Sequence, residues 1–351
     1  MAQKIIFKEQ DEKKFWDYWQ EFASENNVSP RYLRHYIEWK LKIAARVPFV
    51  ADKSFVYLVN NKITACVLLP LERDKKNIVA SLDGDYIFSP LFSDISLRKE
   101  VFALIDKIAQ ENKAAKIMFA EDIFELKNNY NYLQKYDYLD TSILSFVINL
   151  EAPNLLGACR KGHRQSIEKI INDKNFSVFF TDSANPSHDL HKDYVELHHK
   201  ASGKMTRSLE TFDMQFERLK EGKAVLFGLK YKGKNAAFAY FDVNAGKATY
   251  SSGADDPDYD KFFLYHALLY KAMEYFKNTG VKYIDTNQPS SPSAQFDYYP
   301  DKKQLNIAFF KRGFGGDFRP QFRGIKYLSR EAFEKDALNF KEKYAVTIPP
   351  L

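Results

Sequence analysis

The sequence reads as two α/β domains of one kind, each built on a mixed sheet, and two observations carry that reading. The first is an element order that occurs twice. A β-hairpin, a further strand, an amphipathic helix and a short strand recur at an offset of roughly 170 residues, a domain-sized duplication far longer than a solenoid repeat. The second is size: 351 residues, 45% of them hydrophobic, exceed one ordinary core and suit two. With 30 Phe and 22 Tyr, large cores and aromatic cleft walls are both within reach.

The first copy begins with a strand at Ile5–Phe7 and a helix from Asp11 to Phe22, where Phe15, Trp16, Trp19 and Phe22 fall near helical spacing. A second helix enters after Ser29-Pro30, proline being preorganised for a helix start. Runs at Ser54–Val59 and Ile63–Leu69 flank Asn60-Asn61 as a hairpin. Strand material from Ile78 to Phe92 is broken at Asp83-Gly84, and Leu97–Asn112 is an amphipathic helix. Strands at Lys116–Phe119 and Thr141–Leu150 close this half. The second copy opens on a basic helix start, Arg160 to Ile170, then a strand at Phe176–Phe180 and helices at His188–Lys200 and Glu210–Lys220. Its hairpin is Ala224–Tyr231 with Asn235–Val243, turning at Lys232-Gly233-Lys234. A strand at Lys247–Ser252, a helix at Phe262–Lys277 ended by Gly280, and a strand at Val281–Thr286 complete the repeat. The expected domains are residues 1–150 and 151–319, with the tail 320–351 packing back on the first.

The net charge of +6 is spread along the chain. It suits an anionic ligand such as a nucleotide, coenzyme A or RNA, without the concentrated basic stripe of a strong nucleic-acid binder. The N-terminus becomes charged too soon for a signal peptide, and no apolar run nears the ~20 residues of a membrane span. Cys66 and Cys159 make no disulfide framework. The expectation is a soluble cytoplasmic protein with no transmembrane segment.

Several stretches carry chemistry. Ala308 to Gly316 sets Lys311 and Arg312 beside aromatics and before three glycines in four positions. That pattern fits close approach of an anionic ligand to the main chain, and equally a helix C-cap with Gly313 in a left-handed turn. Arg160, Lys161, His163 and Arg164 put cations at a helix N-terminus, against the dipole, which asks for a ligand or a carboxylate partner unless the face is simply solvated. The ends Ser251–Asp256 and Asp285–Gln288 are unusually polar for strands. His188, His191, His198 and His199 lack structural zinc spacing, so no metal is expected. Lys204, Thr206, Arg207 and Ser208 form a polar loop made mobile by Gly203.

This order resembles the GNAT acyltransferase fold, in which two adjacent strands splay apart to admit the acyl donor. Two such domains in tandem, with Arg160-Lys161-Gly162-His163-Arg164 opening the second and Phe310-Lys311-Arg312-Gly313-Phe314-Gly315 near the end, resemble the FemABX family. Leu197–Gly203 and Ser252-Gly253-Ala254 are similar to a branch associated with envelope polysaccharide synthesis. The resemblance implies N-acylation of an amino group, with Lys311 as an electrostatic catalyst. Asp285 and Asp255, with Asp256 beside it, are the candidate proton acceptors. Substrate contacts are expected from Arg207, Lys204, His198, His199, Ser252, Asn287, Gln288, Phe310 and Arg312, and from Trp39 with Lys40 or Lys42.

The chain departs from its relatives where Gly253–Asp258 replaces the pyrophosphate loop by carboxylates, which repel a pyrophosphate. It also lacks the helical arm that some members use for tRNA. No cofactor is expected to stay bound. The donor is acyl-CoA or aminoacyl-tRNA, undecided between the two, with tRNA as a partner possible but not favoured, and the acceptor is a small-molecule or nucleotide-linked glycan precursor of the envelope. An aminoacyl-tRNA-dependent enzyme acting on peptidoglycan precursor and a catalytically silent binding protein are the alternatives. The oligomeric state is left open.

Overall fold

The computed structural model describes residues 2–43, 47–125 and 129–346. It divides into two compact units: Met1–Ile143 with Ser293–Pro300 and Pro320–Leu351, and Leu144–Pro292 with Asp301–Arg319.

In the first unit, Gln3–Phe7, Phe55–Val59, Lys62–Val67 and Leu91–Phe92 form a four-stranded sheet. The helix Glu12–Glu25, capped by the Asp11 side chain on Lys14 N at 3.0 Å, lays Phe15, Trp16, Trp19 and Phe22 into the core at no more than 2% exposure. Pro30–Tyr32 makes only a single 3-10 turn. Leu33 is extended, and the helix proper runs Arg34–Ile43. A second sheet carries Leu139–Asp140, Arg323–Tyr327, Ala114–Ala120, Asn77–Ala80, Pro70–Asp74 and Phe49–Asp52 in that order. Arg323–Tyr327 pairs antiparallel with Ala114–Ala120, so the chain's late segment supplies an interior strand here.

The second unit is one seven-stranded sheet: Phe176–Thr181, Ala224–Tyr231, Lys234–Asn244, Lys247–Asp255, Tyr283–Asp285, Ile143–Asn149, Asp317–Gln321. The strand expected at Thr141–Leu150 therefore does not close the first half. It pairs antiparallel with Tyr283–Asp285, because Phe146, Ile148 and Leu150 bury into the second core. Lys232 (φ 49°) and Gly233 (φ 80°) give the tight hairpin turn its left-handed residues. Alternation sorts the sheet's side chains by face. Val225, Phe227, Ala239 and Phe241 meet the helices Lys161–Ile171 and Leu264–Asn278. Leu226, Phe238 and Tyr240 meet His188–Ser202 and Leu209–Lys220. A buried ion pair, Arg218 to Asp242 at 2.8 Å, ties that second helical layer to the sheet. No helix among the described residues is long and apolar enough to cross a membrane.

Candidate active site

The cleft arises from a pairing that stops. Lys247–Asp255 and Tyr283–Asp285 run parallel through Lys247↔Tyr283, Ala248↔Ile284 and Thr249↔Asp285, and no further. From Tyr250 onward the longer strand's ladder continues with Lys234–Asn244 alone, with a bulge that places Tyr250 opposite Phe241 and Ser252 opposite Tyr240. The two strands diverge beyond that point around a cavity of 490 Å³. Leu269, Ile284, Ile307 and Phe310 give it apolar walls, while Asp255, Gln288, Lys303 and Lys311 supply its polar groups. Gly253 is required by close approach: a Cβ there would lie 2.3 Å from the Tyr265 hydroxyl and 2.5 Å from that of Tyr250.

Lys311 ends the helix Lys302–Lys311, which Asp301 and Gln304 start with a capping box. The Lys311 side chain points into the cleft wall with 6% exposure. Its Nζ donates to Asn287 O at 2.8 Å and lies 5.4 Å from the Tyr250 ring. No carboxylate stands within ion-pair distance of it among the described residues. Burial therefore pulls the ammonium down to about 7, opposed only by the more distant charge of Asp285.

Asp285 is 1% exposed and is absent from the cavity wall; it accepts from Asn287 N at 2.9 Å and Ser145 Oγ at 3.3 Å, holding the turn beneath Lys311. Asn287 takes a left-handed conformation (φ 56°), presenting its carbonyl to Lys311. Gln288 donates to Leu144 O at 3.0 Å and accepts from Ser290 N and Ser291 N, which shapes the wall it lines. Asp255 does face the cavity, and burial, with Asp260 and Asp256 adding repulsion, holds its carboxyl above the usual range. Asp256 instead caps Asp258 N at 3.0 Å and pairs with Lys200 at 2.6 Å.

On the opposite face of the same sheet, Ser252 Oγ meets the Tyr194 hydroxyl at 2.6 Å. Arg207 donates to that hydroxyl at 3.1 Å and to Gln215 Oε1, with its guanidinium 3.8 Å from the Phe212 ring. His198 and His199 pack on Phe212, and burial beside Arg207 pushes the His198 imidazole down to about 4. The structure thus gathers the sequence candidates into two groups in this unit. Lys311, Asp255, Gln288 and Phe310 line the cleft with Asn287 behind them, and Ser252, Arg207, His198 and His199 sit across the sheet.

Comparison with solved structures settles what fold this is. The chain superposes on FemX with a TM-score of 0.65 at 14% identity, covering 95% of this chain and 99% of that one. The fold is the FemX-like tandem GNAT fold. The C-terminal domain of a putative lysylphosphatidylglycerol synthetase from Agrobacterium fabrum is also similar, with a TM-score of 0.63 at 12% identity over 95% of this chain and 96% of that one. L-PGS from Bacillus licheniformis gives 0.57 at 12% identity, over 93% and 95%. No family model matches the sequence. No curated protein matches it either.

Of the remaining candidates, Lys204 and Arg312 line neither group in this unit, and Trp39 and Lys42 belong to the first unit. Trp39 is a buried first-unit residue whose ring lies tilted against that of Tyr36 at 5.5 Å between centroids, and Lys42 is exposed on the same helix. Lys204 is exposed on the loop after Gly203, which ends its helix at φ 67°. Arg312 folds back onto its own helix, donating from Nε to Ala308 O at 3.1 Å.

One reading of the glycine-rich stretch changes. Gly313 is not left-handed: the cap residue is Arg312 in helical conformation, and the positive φ values belong to Gly315 (76°) and Gly316 (148°). In the basic run, Arg160 and His163 find backbone partners. Arg160 donates to Phe309 O at 3.2 Å and His163 contacts Phe310 O at 2.8 Å, so these groups serve the C-terminal end of another helix. Tyr194, Tyr250 and Tyr265 escaped sequence reading as site residues. Strand alternation around Gly253 was the available signal for Tyr250. Among the described residues no cluster of His, Cys, Asp and Glu is placed to hold a metal.

Proposed function

We propose that this chain is a cytoplasmic N-acyltransferase that moves an acyl group from an activated thioester or ester to an amine of a nucleotide-activated sugar or another envelope glycan precursor. The observation that carries the reading is Lys311: a lysine buried without a carboxylate partner, at the wall of a cavity opened by diverging strands. Burying such a group costs stability, and perturbed lysines of this kind concentrate at functional sites. In acyl transfer the neutral amine attacks the acyl carbon, charge gathers on the carbonyl oxygen, and the C–S or C–O bond to the leaving group then breaks. The Lys311 ammonium, itself 6% exposed, stabilises that oxygen. Asp255, the carboxyl facing the cavity, takes the proton released by the amine.

A second reading concerns the donor. The segment before the helix Leu264–Asn278 carries Asp256, Asp258 and Asp260, and Phe263 caps that helix without a side-chain bond. This is a poor cradle for a pyrophosphate and favours an aminoacyl ester of RNA. A mass-spectrometric screen of donor and acceptor pairs tests both readings. Acylated amine is the expected product, and RNase should abolish it if the donor is charged tRNA but leave it intact with a coenzyme A thioester. No acyl product from any pair would leave a binding protein.

A further inference from the structure

The last turn of the Lys302–Lys311 helix is held from outside. Helix C-termini leave carbonyls without intrahelical partners. Here Phe309 O accepts from Arg160 Nη2 at 3.2 Å and Gly313 O from Arg160 N at 2.8 Å, while Phe310 O, bonded by Gly313 N at 2.9 Å, accepts a second bond from His163 Nε2 at 2.8 Å. The Arg160 guanidinium also covers the Phe309 ring at 3.7 Å.

The partners fix the imidazole's state. A carbonyl only accepts, so Nε2 carries the hydrogen; Nδ1 faces the Arg160 guanidinium at 3.4 Å, which only donates, so Nδ1 is bare. Burial, reinforced by the Arg160 charge, keeps the ring in that neutral form. Gly313 exists to admit it: a Cβ at 313 would lie 2.0 Å from His163 Nε2 and 2.3 Å from Cε1. The ring also packs on Phe314 and Phe310, at 4.8 Å and 5.6 Å between centroids, and Phe310 lines the cleft beside Lys311.

We infer that His163, supported by Arg160 and admitted by Gly313, is a positioning residue that fixes Lys311 in the cleft through the Phe310 carbonyl. The inference deepens the acyl-transfer reading and rests on it for its kinetic arm alone. The lysine is one residue beyond the clamped carbonyl, and its contact with Asn287 O leaves little slack. Misplacement of a catalytic group by about 1 Å costs on the order of a hundredfold in rate.

The test compares His163→Leu, which keeps bulk and loses the donor, with His163→Gln, which keeps a side-chain N–H. Two quantities are read: the NMR titration midpoint of the Lys311 ε-amine, and kcat against KM. In the Leu variant the midpoint should rise from about 7 toward that of an ordinary lysine as the side chain loosens into water. Its kcat should fall about tenfold or more with donor KM within about twofold, and the Gln variant should restore most of both. Should the Leu variant fail to fold, Gly313→Ala displaces the same ring and is read the same way. An unmoved Lys311 midpoint in a folded variant overturns the inference. Absence of turnover in the wild type would instead overturn the acyl-transfer reading, while the midpoint still decides His163.

Discussion

At the scale of single residues, Lys311 couples function to stability with a definite sign. Its folded pKa, about 7, lies below the unfolded value, so between those two values the unfolded chain binds more protons. Stability from this group is therefore lowest below pH 7 and rises as pH increases through that window. Lys311→Met should raise the thermal transition at about pH 6, with a gain that shrinks by about pH 9; calorimetry at the two pH values checks it. Activity should run the other way. If the ammonium is the working form, kcat/KM falls above pH about 7, and Lys311→Arg, charged throughout, loses that descending limb. Gly253→Ala should cut turnover at least about tenfold by driving the Tyr250 and Tyr265 hydroxyls into the cavity, with the circular dichroism spectrum retained. The lysine was legible because cations, aromatics and glycines stood together in one stretch. The His163 clamp was not, since the groups it serves are backbone carbonyls far along the chain, and carbonyls leave no mark in a sequence.

Elements were legible in kind and less so in partnership. Hydrophobic alternation marked the strand Ile143–Asn149, but nothing local says which sheet it joins; that follows from Tyr283–Asp285 needing a second neighbour. The same limit hid the layer behind the sheet, where Arg218 and Asp242 are nearly inaccessible at 0% and 2% side-chain exposure. Asp242→Ala leaves a buried guanidinium without its partner and should cost about 3–5 kcal/mol, read as the shift in urea unfolding free energy. An ordinary surface pair would cost less than about 1 kcal/mol, which makes the outcome decisive.

Over the whole molecule, the twofold repeat of hairpin, strand, helix and strand announced two similar units, because each copy carries its own hydrophobic periodicity. The path between them was not announced. Ser293–Pro300 returns to the first unit, where Asp297 accepts from Tyr86 at 2.6 Å and from Arg323 at 2.8 Å; so irregular a segment shows no period to read. Because Arg323–Tyr327 is an interior strand of the first unit, a chain ended at Arg319 exposes the edge of Ala114–Ala120. That truncation should aggregate rather than give a trimmed monomer, as size-exclusion chromatography would show.

The buried lysine at the diverging strands is the residue on which acyl transfer depends most. Its most direct test is turnover of Lys311→Met on the donor and acceptor pair found by mass spectrometry. Loss of acyl transfer with a thermal transition no lower than wild type is the predicted result. Wild-type rates in that variant would contradict it.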